Sequence, residues 1–194
     1  MSTNETLNSI IFYGKHSEII NRLSSTNEDL KIGVTPPPLF TRVIDAYYIA
    51  GLVGVINNVK STPDVKSKDR TTIFTETLNR NFGELNFFSA IPIILTQDLT
   101  KVSDIKRAFF SESNDEENYL VTRNNIFYTF ALGGLELIEN QIFKDENGNL
   151  FSLEDDLDFY DRLQQYLDNL DEKFTIKDDF VDQDIIIDTT EFDL

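Results

Sequence analysis

The stretch TRVIDAYYIAGLVGVINN, residues 41–58, decides the fold. Together with Phe40, the residues Val43, Ile44, Tyr47, Tyr48, Gly51, Leu52 and Val55 recur at helical spacing, so a helix is predicted to start just after Pro38. Its apolar run, Ala46 to Ile56, is eleven residues long. A bilayer-spanning helix needs roughly 20, so this run belongs in a protein core. Gly51 and Gly54 each cost roughly 1 kcal/mol against Ala inside a helix. Glycines at such positions point to a second helix approaching closely.

The matching stretch is NNIFYTFALGGLELIENQIF, residues 124–143. Tyr119, Leu120, Phe127, Phe130, Ala131, Gly134, Leu135, Ile138 and Ile142 keep the helical period, and Gly133-Gly134 repeats the sign of close packing. Asn114 with Glu116 and Glu117 reads as its start, a capping residue followed by first-turn acids. It is predicted to be the longest helix.

The rest is arranged around these two. Residues 5–24 carry Leu7, Ile10, Ile11, Ile19, Ile20 and Leu23, which suits one or two short helices interrupted near Gly14. Ser24 to Asp29 reads as a loop, and KIGVTPPPLF as an extended segment, because three prolines exclude a helix interior. Asn57 to Asp69 is a loop. Asp69 or Thr71 is expected to cap a helix with Ile73, Phe74, Leu78, Phe82 and Leu85 on its apolar stripe. Phe87 to Leu95 is nearly all apolar around Pro92 and reads as a kinked or terminating buried segment. Asp104 to Ser111 suits a short helix with Lys106 and Arg107 exposed. IFKDENGNLFS suggests a hairpin turning at Asn147-Gly148. Ser152 then caps a helix with Leu153, Leu157, Tyr160, Leu163, Leu167, Leu170 and Phe174 on its core face. The expected fold is mainly α: a single helical domain, residues 1–174, of six or seven helices with one small β-hairpin. An acidic C-terminal tail, residues 175–194, follows, with Ile185-Ile186-Ile187 suited to an edge strand or a docking motif in a flexible tail.

Composition bounds the class of function. Hydrophobic residues make up 40% of the 194, and 16 Phe and 7 Tyr are enough for a core without staples. The absence of Cys excludes disulfides, thiolate metal sites and a cysteine nucleophile. The polar opening MSTNETLNS lacks a signal-peptide pattern, so a cytoplasmic location is expected. The net charge of −17 is opposite in sign to that of proteins that bind nucleic acid directly or attach to anionic membranes. It is unevenly spread. Residues 151–194 hold 15 acids and 3 bases, a net −12, whereas residues 1–150 net only −5.

Few residues offer chemistry. His16 is the sole histidine, without a nucleophile elbow or a glycine-rich oxyanion loop, and is expected in solvent near a helix boundary. Asp145, Asn147 and Asn149 alternate like calcium-loop ligands, but Leu150 stands where such a loop needs glycine and Asp156 where it needs Glu. Asp64 and Asp171-Glu172-Lys173 have the residue types of a metal nuclease, more than 100 residues apart. Lys60, Lys66, Lys68 and Arg70 make a basic loop that suits solvent, phosphate or, through Lys60 and Lys66, the acidic C-terminal region. No catalytic, cofactor or metal residue is assigned. The candidate partner-binding residues are Glu154, Asp158, Asp161, Asp168 and Glu172, whose 4-3-7-4 spacing makes one acidic ridge beside the leucine face. Like charges four apart cost roughly 0.2–0.5 kcal/mol per pair, a liability that a basic partner would relieve.

The two glycine-bearing stretches, with their Ala-Gly-Leu and Gly-Gly-Leu-Glu positions, resemble small accessory proteins encoded beside bacterial DNA-modification and restriction modules, phosphorothioation systems among them. The resemblance covers residues 40–143. It implies a bacterial or phage origin and a defence setting, and it carries no catalytic residues. The expected function is that of a non-enzymatic interaction protein of a defence or counter-defence system, binding a basic protein or a nucleic-acid-binding enzyme through the ridge. The alternatives are a DNA mimic that inhibits a restriction or CRISPR nuclease, and a carboxylate-based metal enzyme. The glycine-rich helix faces also allow a homodimer.

Overall fold

The computed structural model describes residues 8–24, 38–96, 101–109, 119–144, 147–149 and 161–169. Two helices organise it: α2, Val43–Ile56, and α6, Tyr119–Ile138. Both are apolar on nearly all sides, which is the pattern of a helix surrounded by protein. They cross at a glycine seam. A Cβ on Gly54 would lie 2.0 Å from the Phe130 carbonyl oxygen, and one on Gly134 would lie 1.8 Å from that of Ala50. Only hydrogen fits there, so backbone meets backbone, as the glycine positions led one to expect. All four seam glycines (Gly51, Gly54, Gly133 and Gly134) face atoms of this same chain. Those glycines are packed within the chain.

α2 ends in a paired hydrogen-bond motif. Asn58, at φ 52°, takes the left-handed position. Its N–H donates to the Val55 carbonyl, and the Val59 N–H donates to Gly54. The chain then lies along α6, with the Ser61 N–H donating to the Thr129 carbonyl.

The small sheet is not where the sequence placed a hairpin. β1, Ile10–Tyr13, pairs antiparallel with β2, Arg70–Ile73, across the register Ile10–Ile73 to Tyr13–Arg70. The helix expected over residues 5–24 is thus a strand, then a turn at Gly14 (φ 52°), then α1, Lys15–Leu23. Likewise Asp69 and Thr71 cap nothing. Thr71, Thr72 and Ile73 are β-branched and find a strand partner, and α3, Thr75–Arg80, starts only after Phe74. Around Asn147-Gly148 the described residues show a turn, with Gly148 at φ 81°. Lys144 makes a β-bridge, and the far arm of the expected hairpin lies outside the described residues.

α4, Phe82–Thr96, runs through Pro92 rather than stopping there. Its buried Leu85, Ala90 and Ile93 hold it against the core. Phe87 and Leu95 stand in solvent, contrary to the expected buried segment. α5, Val102–Phe109, follows, with Lys106 and Arg107 exposed as expected. A π-helical turn, Glu139–Phe143, extends α6. α7, residues 161–169, packs Leu163 and Tyr166 on the core. The core itself is aromatic: Tyr47 meets Phe127 edge-on at 5.1 Å, and Phe12 meets Tyr47 at 5.9 Å. The described residues form a mostly helical fold with a small two-stranded antiparallel sheet. Among the described residues no helix is long and apolar enough to cross a membrane. The helix start at Asn114, the cap at Ser152 and the tail 175–194 lie outside the described residues.

Candidate functional site

Two carboxylates near the end of α6 gather polar partners, and the inner one is Glu136. One oxygen of that carboxylate, Oε1, accepts from His16 Nε2 at 2.8 Å, Lys15 Nζ at 2.9 Å and Ser61 Oγ at 2.5 Å. These three hydrogen bonds hold the Glu136 pKa down at about 2, although burial pushes it the other way. The carboxylate is therefore ionised, and the His16 Nε2 must carry the proton it donates. His16 is 0% exposed, which corrects the expectation of a solvent position. Burial lowers its pKa, so the ring is neutral at pH 7. Its Nδ1 is buried without a hydrogen-bond partner.

This arrangement does not activate Ser61. Its hydroxyl is held by a carboxylate of pKa about 2, which is a poor base. The imidazole is bonded to the same oxygen rather than to the serine. What the cluster does is tie α1, the loop after α2 and α6 to one point.

One helical turn further on, Glu139 repeats the device at the π turn. Its Oε1 accepts from Arg22 Nη1 at 2.7 Å and its Oε2 from Lys144 Nζ at 2.6 Å. The Lys144 carbonyl in turn accepts from Arg162 Nη1 at 2.8 Å. Arg162 belongs to α7, so the path Glu139, Lys144, Arg162 joins the π turn to the acidic helix.

Two residues of the expected ridge, Asp161 and Asp168, are described, and both are exposed. They stand two turns apart, roughly 10 Å along the helix at 1.5 Å per residue. Gln164 Nε2 donates to Asp168 Oδ1 at 2.8 Å. Glu154, Asp158 and Glu172 lie outside the described residues. Of the basic loop, Lys60 sits 4.5 Å from the Phe130 ring centroid and Arg70 5.2 Å from that of Tyr13. Both cations rest on aromatic faces. Asn147 and Asn149 are exposed at the turn, and Asp145 and Asp171-Glu172-Lys173 lie outside the described residues. Among the described residues no three His, Asp or Glu side chains converge as metal ligands would. A cleft of about 250 Å³ between β1 and α6 is lined by neutral side chains, Ile11, Tyr13, Leu78, Asn124 and Tyr128 among them.

Compared with known proteins, the chain matches no family model, no curated protein and no solved structure.

Proposed function

We propose that the protein is a non-enzymatic interaction protein of a bacterial or phage defence or counter-defence system, and that it binds a basic partner through its acidic C-terminal face. One observation carries the reading. α7 turns Leu163 and Tyr166 to the core and leaves Asp161 and Asp168 in solvent, two turns apart. The charge distribution supports it, since residues 151–194 hold net −12 of the total −17. The defence setting rests on the resemblance of residues 40–143. Binding of this kind is salt-sensitive, because exposed charges are screened beyond about 10 Å at 0.1 M salt.

The test is affinity capture with the full chain, comparing it with Asp158→Asn/Asp161→Asn/Asp168→Asn. A basic partner released by moderate salt and lost by the variant supports the reading. A partner that binds the variant as well as the parent removes it. Competition by duplex DNA for the same partner separates the DNA-mimic form of the reading from binding elsewhere on that protein.

A further inference from the structure

The cleft of about 250 Å³ between β1 and α6 borders two polar groups that the fold leaves unused. The first is on the outer edge of β1. The Gly14 N–H donates to the Asp69 carbonyl at 3.0 Å, and the register pairs Tyr13 with Arg70. In an antiparallel pair, residues that exchange hydrogen bonds alternate with residues that do not. Ile10, Phe12 and Gly14 therefore bond toward β2, and the N–H and C=O groups of Ile11 and Tyr13 point the other way. The Ile11 carbonyl shows what that edge faces, since it accepts from the Tyr128 hydroxyl of α6 at 2.6 Å. No described residue accepts from the Ile11 N–H beside it.

The second group is Asn124 Oδ1, which is buried without a hydrogen-bond partner. Asn124 lines the same cleft, one turn of α6 before Tyr128, about 6 Å along the axis. A buried amide oxygen without a donor is unfavourable. The terminal torsion of an asparagine is broad, so this amide can turn toward a donor in the cleft.

Size and charge select the occupant. The buried Leu78 and Leu85 give the cleft an apolar floor. None of its lining side chains is charged, so an ion entering it would lose water without gaining a partner. Its volume lies below the roughly 300–1,000 Å³ of sites for drug-sized ligands, which suits a molecule of one or two rings. An added peptide strand needs a run of free backbone groups, and Tyr128 already holds the Ile11 carbonyl. One free donor and one free acceptor beside an apolar floor match a flat, neutral molecule with a C=O next to an N–H.

We propose that the cleft binds a small neutral heterocycle with a lactam edge, the edge of uracil or hypoxanthine, whose C=O accepts from the Ile11 N–H and whose N–H donates to Asn124 Oδ1. The site uses none of the residues of the acidic ridge, so it stands or falls independently of partner binding there.

The test is an amide NMR titration of the isotope-labelled full-length chain with uracil, hypoxanthine and N,N′-dimethyluracil. The last keeps the ring and both carbonyls but has no N–H. The expected result is a saturable downfield shift of the Ile11 amide with uracil or hypoxanthine, with the dimethyl compound weaker by roughly tenfold, the scale of one lost hydrogen bond with its partner left unpaired. Asn124→Leu keeps the size of the side chain and removes the acceptor, and it should weaken lactam binding by a similar factor. Should that variant fail to fold, the comparison of uracil with its dimethyl form on the parent chain still decides. No saturable shift at Ile11 with either lactam overturns the proposal. So does N,N′-dimethyluracil binding as tightly as uracil, or a folded Asn124→Leu binding as tightly as the parent.

Discussion

His16 Nε2 and Glu136 Oε1 lie 2.8 Å apart across 120 residues of sequence, and the pair makes the fold sensitive to acid. Burial lowers the His16 pKa from 6.5 in the folded protein, so the unfolded chain binds that proton first as pH falls. Glu136 is held at about 2 against 4.5. Both groups stabilise the fold when deprotonated, and both contributions shrink in acid. Urea midpoints should therefore be flat between about pH 7 and pH 9, fall from pH 6.5 as His16 begins to matter, and fall again below pH 4.5 through Glu136. His16→Gln should remove the upper stage and leave the lower. A variant that keeps the full slope between pH 5 and 7 would show that His16 does not cause it.

Replacing the carboxylate tests the same node at neutral pH. In Glu136→Gln one amide oxygen faces His16, Lys15 and Ser61 with no charge to hold them. A buried donor left without a good acceptor costs on the order of 1–3 kcal/mol, and a loss of that size is expected in urea melts at pH 7. A change below about 0.5 kcal/mol, the usual range of surface substitutions, would mean that the node does not hold α1 to α6.

Two glycine substitutions should have opposite signs. At Gly134 an added Cβ would meet the Ala50 carbonyl at 1.8 Å, and backbone cannot step aside. Gly134→Ala should cost roughly 3 kcal/mol or more, at the upper end of over-packing. Gly83 has open space around it inside the first turn of α4. There Gly83→Ala should stabilise by up to about 1 kcal/mol through helix propensity. Thermal melts of the two variants, run side by side, separate packing from propensity.

The glycine seam was legible because its cause is local. Gly51, Gly54, Gly133 and Gly134 interrupt otherwise apolar helical periods, and a gap of that kind has few uses besides close approach. The sheet was not legible. Ile10–Tyr13 is four apolar residues long, too short for a period of 2 to show against one of 3.6. Its partner Arg70–Ile73 lies 60 residues away. The polar node was hidden for the same reason, since His16, Ser61 and Glu136 meet only after folding. The one available signal was a lone acid inside the apolar run LGGLELI, which demands a partner if buried. The solvent position of Phe87 and Leu95 contradicts the simplest reading of an apolar run, because an apolar segment can line a surface as well as a core. Of the ridge, Asp161 and Asp168 are exposed on α7, but so is Leu167, which the apolar period had placed on the core face, because only Leu163 and Tyr166 of that helix pack on the core among the described residues.

Arg123 offers a local rather than global test. Its guanidinium is buried, and burial lowers its pKa, yet it bonds to Asn86 on α4 and to the Arg107 carbonyl on α5. Arg123→Met keeps the length of the side chain and removes these bonds. The expected loss is on the order of 2–4 kcal/mol, from lost hydrogen bonds and the groups left buried without them. Amide hydrogen exchange should show α5 losing protection before α2 and α6, because Arg123 is its polar tie to the core. Uniform loss of protection across the helices would place the role of Arg123 in the core as a whole.

The acidic helix should separate stability from binding. Asp161 and Asp168 are exposed, and the hydrogen bond between Gln164 and Asp168 lies on the surface. Exposed positions of this kind change stability by no more than about 0.5 kcal/mol. The fold does not need the two charges, since Leu163, Tyr166 and Arg162 fasten α7 without them. Asp161→Asn/Asp168→Asn should therefore melt within about 2 °C of the parent, given a few degrees per kcal/mol for a chain of this size. If the ridge binds a basic partner, the same variant should lose affinity and show a shallower salt dependence, one step for each charge removed. Measuring both on one protein is what makes the result decisive. Unchanged melting with unchanged binding would move the partner site off α7, whereas a large drop in melting temperature would show that the two carboxylates stabilise the fold after all.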